Sequence, residues 1–365
     1  MKKLFWFTLP ALLVCQASVA QEDEGYGFSL DYTSEVWKVE KGGLDDDLVY
    51  LDNLDFSFER NIGSGTFFAY ALYNNGNTLS ETHVGDSQTI SNIDNSKMVR
   101  LYEVWYDLPL VDGKGSLKVG LLDLNAEFDA IDTAGLFINS SHGIGPDFSQ
   151  TGENGPSIYP NTSLAVRYIH TEEDNFDIRV GIFDAVPNDP DRPKHHKFSL
   201  NEGALLAAEV NKYFHNGLRF GVGVWNYTDK FPRLEDPLQE EGGNWGGYFM
   251  LEGQLNDSIN GWARYGLVNK DSINEVSNYF GAGLVHNNFL GRENDQLGFA
   301  LARANPGKSV PEGVSETNLE LTWRLQVNDW LALQPNFQYV LHPGYDPLVE
   351  DAFVIGLRLE VGVTF

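Results

Sequence analysis

The chain has almost no sulfur chemistry: one Cys, at position 15, and three Met among 365 residues. A lone thiol forms no intrachain disulfide, and a CxxC zinc or redox pair cannot be built from it. Positive charge is scarce as well. Lys and Arg number 25 against 52 Asp and Glu, for a formal charge of −27. Nucleic acid is therefore excluded as a partner, because phosphates are held by Lys and Arg. Beyond residue 20 no stretch is long and apolar enough for a spanning helix, and the mean hydropathy is −0.29. HExxH, P-loop and calcium-loop patterns are also missing, so nothing implies a metal or a cofactor. The hydropathy result excludes helices only. Strands that alternate apolar-out with polar-in cross a membrane without a hydropathy peak.

What is present begins with an export signal. Residues 1–20, MKKLFWFTLPALLVCQASVA, carry two Lys, an apolar run and small residues before Gln21. This reads as a secretory signal peptide cleaved after Ala20, leaving 21–365 as one domain. A lipoprotein signal on Cys15 fits less well, because Leu-Leu-Val precedes that residue. Cleavage removes the only Cys and two Lys, so the mature chain stands at −29.

Period-two alternation then runs down the chain. In ETNLELTWRLQV, Leu319, Leu321, Trp323, Leu325 and Val327 share one face, and Asn318, Glu320, Thr322, Arg324 and Gln326 the other. The last stretch, AFVIGLRLEVGVTF, places Phe353, Ile355, Leu357, Leu359, Val361, Val363 and Phe365 together against Arg358 and Glu360. Such runs predict sixteen strands, at 26–33, 50–60, 65–74, 98–107, 115–122, 161–170, 175–184, 203–213, 217–227, 246–255, 260–268, 278–287, 295–303, 316–327, 330–341 and 352–365. The facing of 98–107 and 278–287 is ambiguous. Connections after even-numbered strands are short and those after odd-numbered strands mostly long. The fold class expected is all-β: a transmembrane antiparallel β-barrel of about 16 strands, with long extracellular loops and short periplasmic turns. A soluble sandwich or propeller would need a second layer over every apolar face and a blade-length repeat, and no such repeat is seen. The strand at 352–365 closes the ring against the first, and its terminal aromatic suits the periplasmic interface and reading by the barrel assembly machinery.

A barrel of this size leaves an aqueous channel. Arg167, Asp177, Arg179, Glu209, Arg219, Arg264, Glu320, Arg324, Arg358 and Glu360 alternate away from the apolar face. Lys or Arg turned to the bilayer midplane would cost about 2–4 kcal/mol each, so they face a lumen. The longest connection, 123–160, is rich in Asn, Asp, Ser and Gly, and is expected to fold into the pore. There it would narrow the bore with Asn125, Glu127, Asp129, Asn139, Ser140, Ser141, His142, Asp147 and Gln150, and Phe128, Phe137 and Phe148 could offer faces to a sugar ring.

The blocks VGLLDLNAEFD, LFINSSHGIGPDFSQTGENGPSIYP, AVPNDPDRP with NEGALLAAEV, YFGAGLVHNNFLGRENDQLGFALA and ETNLELTWRLQVNDWLALQPNFQYVLHPG resemble the carbohydrate-selective porin family of OprB type, in the family's order. The resemblance implies a sixteen-stranded pore in the Gram-negative outer membrane, monomeric or homotrimeric, through which glucose and other sugars diffuse without covalent chemistry. Lipid and lipopolysaccharide would surround it. The expected pore residues are Arg167 and Arg179 on adjacent strands, Glu103 and Trp105 near them, and the loop residues Asn125, Glu127, Asp129, Asn139, His142 and Asp147. Arginines facing loop carboxylates would set a transverse field and leave planar donors for hydroxyls. The same pairs could instead only hold the loop in place.

Three other functions stand beside this one. A general or cation-preferring porin accords with the acidity of EDE, LDDD and EDPLQEE. A barrel enzyme would have Ser140, Ser141, His142 and Asp147 as triad residue types, but no GxSxG elbow is present. A structural or adhesive surface protein would have a blocked lumen. His195 and His196 could ligate a metal, although an exposed basic loop facing lipopolysaccharide phosphates suits them better.

Overall fold

The last strand finds two neighbours, one of them the first. Its register pairs Arg358 with Glu35 and with Gln334, and its backbone continues the ladder until Phe365 exchanges hydrogen bonds with Phe28. The sheet thereby closes, and no unpaired edge is left. The structure, a computed structural model, describes residues 25–365 apart from 112, 173–174, 189–201, 309 and 311–312. The signal segment and the His195–His196 pair lie outside the described residues.

The strands in chain order are β1 (Tyr26–Lys41), β2 (Leu48–Ile62), β3 (Gly65–Asn74), β4 (Met98–Pro109), β5 (Gly115–Leu122), β6 (Ser163–Glu172), β7 (Phe176–Asp184), β8 (Ala204–Tyr213), β9 (Leu218–Tyr227), β10 (Lys230–Pro232), β11 (Glu240–Gly242), β12 (Trp245–Asn256), β13 (Ile259–Val268), β14 (Val276–Asn287), β15 (Gln296–Pro306), β16 (Glu316–Asn328), β17 (Leu331–Leu341) and β18 (Ala352–Thr364). Sixteen form the closed antiparallel barrel, each beside its chain neighbour, while β10 and β11 make a separate hairpin within a loop. The wall strands agree with those expected. The largest difference is β1, which runs to Lys41 because Trp37 and Val39 alternate inward although they are apolar.

The two faces match their solvents. Leu357, Phe337, Leu321, Phe299, Leu284 and Phe249 are exposed on the outside. Arg167, Asp177, Glu209, Arg219, Arg264, Glu320, Arg324 and Arg358 are buried inside, as alternation requires. The uncertain strand β4 resolves through a bulge. Tyr70 pairs with Glu103 and Ala71 with Leu101, leaving Tyr102 as the extra residue. Parity flips there, so Arg100 and Tyr102 face inward above the bulge and Glu103, Trp105 and Asp107 face inward below it.

Two loops enter the bore where one was expected. Residues 123–162 lie along the wall from β5 to β16, and residues 75–97 fold in beside β1, β2 and β17. In the second loop Leu79, Val84, Ile90 and Ile93 pack on Trp37, Val39, Leu51 and Val354. The inward apolar residues of β1 and β2 are therefore a bed for a loop, not a misplaced lipid face. In the first loop Phe128, Ile131, Leu136, Phe137 and Phe148 pack on Phe183, Trp225, Tyr248 and Trp262. Phe148 and Trp225 stack with centroids 5.1 Å apart and planes 3° from parallel. Wall glycines make room: a Cβ at Gly298 would press on Leu136 and Phe137.

Candidate functional site: a constriction held to the barrel wall

The loops are tied down by a recurring device in which wall glutamates accept loop backbone N–H groups. Glu103 takes Asp123 N at 3.0 Å, Glu209 takes Asp129 N at 2.8 Å, and Glu252 takes Asp132 N and Thr133 N at 3.3 and 2.8 Å. Glu320 takes Ile138 N and Asn139 N at 2.7 and 3.0 Å, and Glu316 takes Ser87 N and Gln88 N at 2.8 and 2.9 Å. Each bond satisfies a loop amide that has no ladder partner, and those of Asp129, Ile138, Asn139 and Gln88 are buried.

Wall arginines supply the complement. Arg264 faces Asp129 fork to fork, at 2.8 and 2.6 Å, and also grips Asp147, one of those contacts measuring 3.2 Å. The rings of Tyr248 and Tyr279 each lie 5.3 Å from its guanidinium. Gly145 and Gly266 leave the space, since a Cβ on either would overlap this ion cluster. Arg219 bonds the Ala130 carbonyl and pairs with Glu252 at 2.7 Å.

Several loop residues proposed from sequence as pore groups thus sit in the anchor. Asp129 and Asp147 are buried on Arg264. Asn139 is buried, donates to Gln338 at 3.2 Å and accepts from Ser141 Oγ at 2.6 Å. His142 is buried against Phe137 and Trp262, with neither ring nitrogen hydrogen-bonded. Burial pushes its imidazole down to about 3 although the Glu320 carboxylate lies 3.5 Å away. That carboxylate is already taken by Ile138 N, Asn139 N and Asn336, so burial wins. Asn125 braces the loop from within, donating to the carbonyls of Phe128, Asp129 and Gly143 at 3.2 Å each. Phe128, Phe137 and Phe148 are buried and offer no face to a solute.

A second group remains in reach of water. Lys118 of β5 and Arg167 of β6 converge on Glu127 of the loop, Arg167 reaching Glu127 at 2.9 Å and Asp107 at 3.3 Å. Their side chains are 14% (Lys118), 17% (Glu127), 25% (Asp107) and 5% (Arg167) exposed. Burial alone would raise the Glu127 carboxyl, but Lys118 and Arg167 outweigh it and hold the group at about 2. Lys118 Nζ also sits 4.1 Å from the centroid of Trp105, which stacks on Phe68 at 4.7 Å. Arg179, 15% exposed, forks onto Asp177 at 3.0 and 3.2 Å and bonds the Glu127 carbonyl. Behind Glu127 a void of about 10 Å³, lined by Glu103, Lys118 and Arg167 among others, has room for one water.

The structure brings Glu103, Trp105, Glu127, Arg167 and Arg179 together, and it adds Lys118 and Asp107, which sequence reasoning missed. Their signal was parity: Lys118 is the only charged residue of β5 and alternates against Leu117 and Val119, while Asp107 follows Glu103 and Trp105 in steps of two. Lys118, Arg167 and Arg179 are matched in number by Asp107, Glu127 and Asp177, with Arg167 and Asp177 forming the buried backing of the group. The arrangement presents a charge-neutral, strongly dipolar rim beside an aromatic plate.

Comparison with known proteins accords with this geometry. A sequence profile described as carbohydrate-selective porin, OprB family, matches residues 47–365. Porin B of Pseudomonas aeruginosa is 25% identical over 403 aligned residues, covering 93% of this chain and 87% of that protein. The high-pH structure of Pseudomonas putida OprB superposes with a TM-score of 0.83 at 21% identity, covering 93% of this chain and 94% of that one. The outer membrane channel DcaP of Acinetobacter baumannii superposes at 0.55 with 11% identity, over 93% and 96%. With its closed sixteen-stranded barrel, inward loops and matching profile, the chain belongs to the carbohydrate-selective porins of the OprB family, channels of the Gram-negative outer membrane.

Proposed function

We propose that neutral sugars cross passively at the rim formed by Lys118, Glu127, Arg167, Asp107, Arg179 and Trp105. The observation that carries this is the pairing of three cations with three anions side by side, with Lys118, Glu127, Asp107 and Arg179 partly open to water. A dipolar rim of zero net charge repels neither a neutral polyol nor attracts a lone ion, and its donors and acceptors exchange with sugar hydroxyls at low cost. Binding stays weak enough to permit exit. Glucose entry into proteoliposomes, compared with protein-free vesicles, tests it; equal rates would sink it.

The second reading, a cation-preferring pore, draws on the overall charge of −27 and on exposed acidic loop residues such as Asp45, Asp46 and Asp47. Reversal potentials in a salt gradient distinguish the two. No catalysis is part of the proposal. Ser141 Oγ donates to Asn139, Asp147 is committed to Arg264, and neither His142 nitrogen meets a hydroxyl. The triad residue types are present without the relay.

In the same proposal the long loops face outward toward lipopolysaccharide, the short turns face the periplasm, and the assembly machinery inserts the chain after cleavage of 1–20. Each barrel holds a complete channel, as monomer or within a homotrimer. A mature N-terminus at Gln21, read by mass spectrometry, checks the cleavage.

A further inference from the structure

Below the inward loop, toward the short-turn rim, the lumen wall of β8, β9, β12, β13 and β14 encloses an open recess of about 520 Å³. Its roof is the loop at Asp132 and Thr133, and its floor carries Tyr213, Gln254, Asn260 and Asn287. The roof is fixed to the wall, because the Asp132 and Thr133 amides are the ones donated to Glu252, which pairs with Arg219. The recess is therefore preformed.

Its polar groups are unspent. The Asp132 carboxylate and the Gln254 amide are exposed, the Asn260 amide is half-buried, and none of the three side chains makes a hydrogen bond to a described residue. Asn287 uses its carbonyl oxygen on Gln296 at 2.9 Å and keeps its NH₂. Tyr213 donates to Asp177 at 2.6 Å and keeps a lone pair and a ring face. The Asp132 carboxylate, the three amides and Tyr213 all line this one recess. The charged pair is internally matched, so the ligand sees one carboxylate, three amides and a phenol.

We infer that this recess is a second binding site, an exit-side subsite for a neutral mono- or disaccharide. A carboxylate accepts from two adjacent hydroxyls, the amides donate and accept around the ring, and Tyr213 covers one face. The size lies in the range of small-molecule sites. A lone cation is disfavoured because the other free ligands are amides, and an anion is disfavoured by Asp132. The inference rests on the reading of the chain as a sugar channel.

The mature chain has no Cys under the expected cleavage, which makes a thiol a clean reporter. Thr133→Cys places one in the recess and Ser57→Cys places one on the opposite wall of the same vestibule. With glucose at high millimolar concentration, modification of T133C by a small thiol reagent is expected to slow at least threefold while S57C is unaffected. Adding Asp132→Asn to T133C is expected to abolish the protection. Equal modification of T133C with and without glucose, in vesicles that still admit glucose, overturns the subsite and leaves the channel reading intact. Vesicles that admit no glucose overturn both. Protection that survives both D132N and a Gln254→Ala, Asn260→Ala pair overturns the residue assignment and with it the subsite.

Discussion

Arg264 of β13 and Asp129 of the inward loop, 135 residues apart, meet as two parallel hydrogen bonds of 2.8 and 2.6 Å with no access to water. Asp147 closes on the same guanidinium. Removing the cation leaves two buried carboxylates uncompensated, a loss of about 3–5 kcal/mol for the first alone. Arg264→Met is therefore expected to free the middle of the loop while the barrel still assembles. Single-channel recordings check it: larger mean conductance and slow current noise are expected, and a quiet wild-type trace would contradict the clasp.

Glu320 pins two amides at once. Glu320→Ala strands Ile138 N and Asn139 N, about 1–3 kcal/mol for each unsatisfied group. Glu320→Gln keeps one acceptor and is expected to lose less. Hydrogen exchange at residues 138 and 139 reads the difference directly, and the order wild type, Gln, Ala from slow to fast is the expected result.

At the rim, Lys118→Met shifts the balance of three against three to a surplus of one negative charge. The reversal potential in a potassium chloride gradient is expected to move toward the cation, and glucose block of the current to weaken. Arg167→Ala is expected to do the same and to loosen Glu127 as well. Unchanged selectivity in both variants would place the solute path elsewhere.

His142 makes a pH prediction with a definite sign. Its folded pKa is about 3 and the unfolded value lies near 6.5. Between these values the unfolded chain binds a proton that the buried ring does not, so the fold loses stability as pH falls through that window. From pH 6.5 to 4.5 the effect is about 2 kcal/mol. The groups facing the ring are Phe137, Trp262 and Glu320. Heat-modifiability on gels, run at pH 7 and 4.5, is expected to show a smaller acid-induced drop for His142→Gln than for the wild type.

The wall was legible because a strand between lipid and water must alternate, and Leu319 to Val327 or Phe353 to Val363 do so without interruption. Alternation fails where the inner solvent is protein. Trp37 and Val39 are apolar and inward because residues 75–97 lie on them, a match between distant segments that no local pattern reports. The bulge at Tyr102 hides Arg100 for a similar reason, since one extra residue reverses parity relative to Glu103 and Trp105 without altering composition. Residue types at the constriction were readable, but the division between anchor and rim was not. Asp129 and Glu127 differ in the sequence only by two positions, yet one is sealed against Arg264 and the other opens to water between Lys118 and Arg167.

The ties of the inward loop run to β4, β8, β12, β13 and β16, strands drawn from both halves of the chain. A partly assembled sheet that lacks β13 or β16 has no partner for Asp129, Asp147 or the amides of residues 138 and 139. Such an intermediate keeps the ties to Glu103, Glu209 and Glu252 but lacks one of the two later clasps. The middle of the inward loop is thus clasped only once β13 and β16, strands from the second half of the chain, have joined the wall.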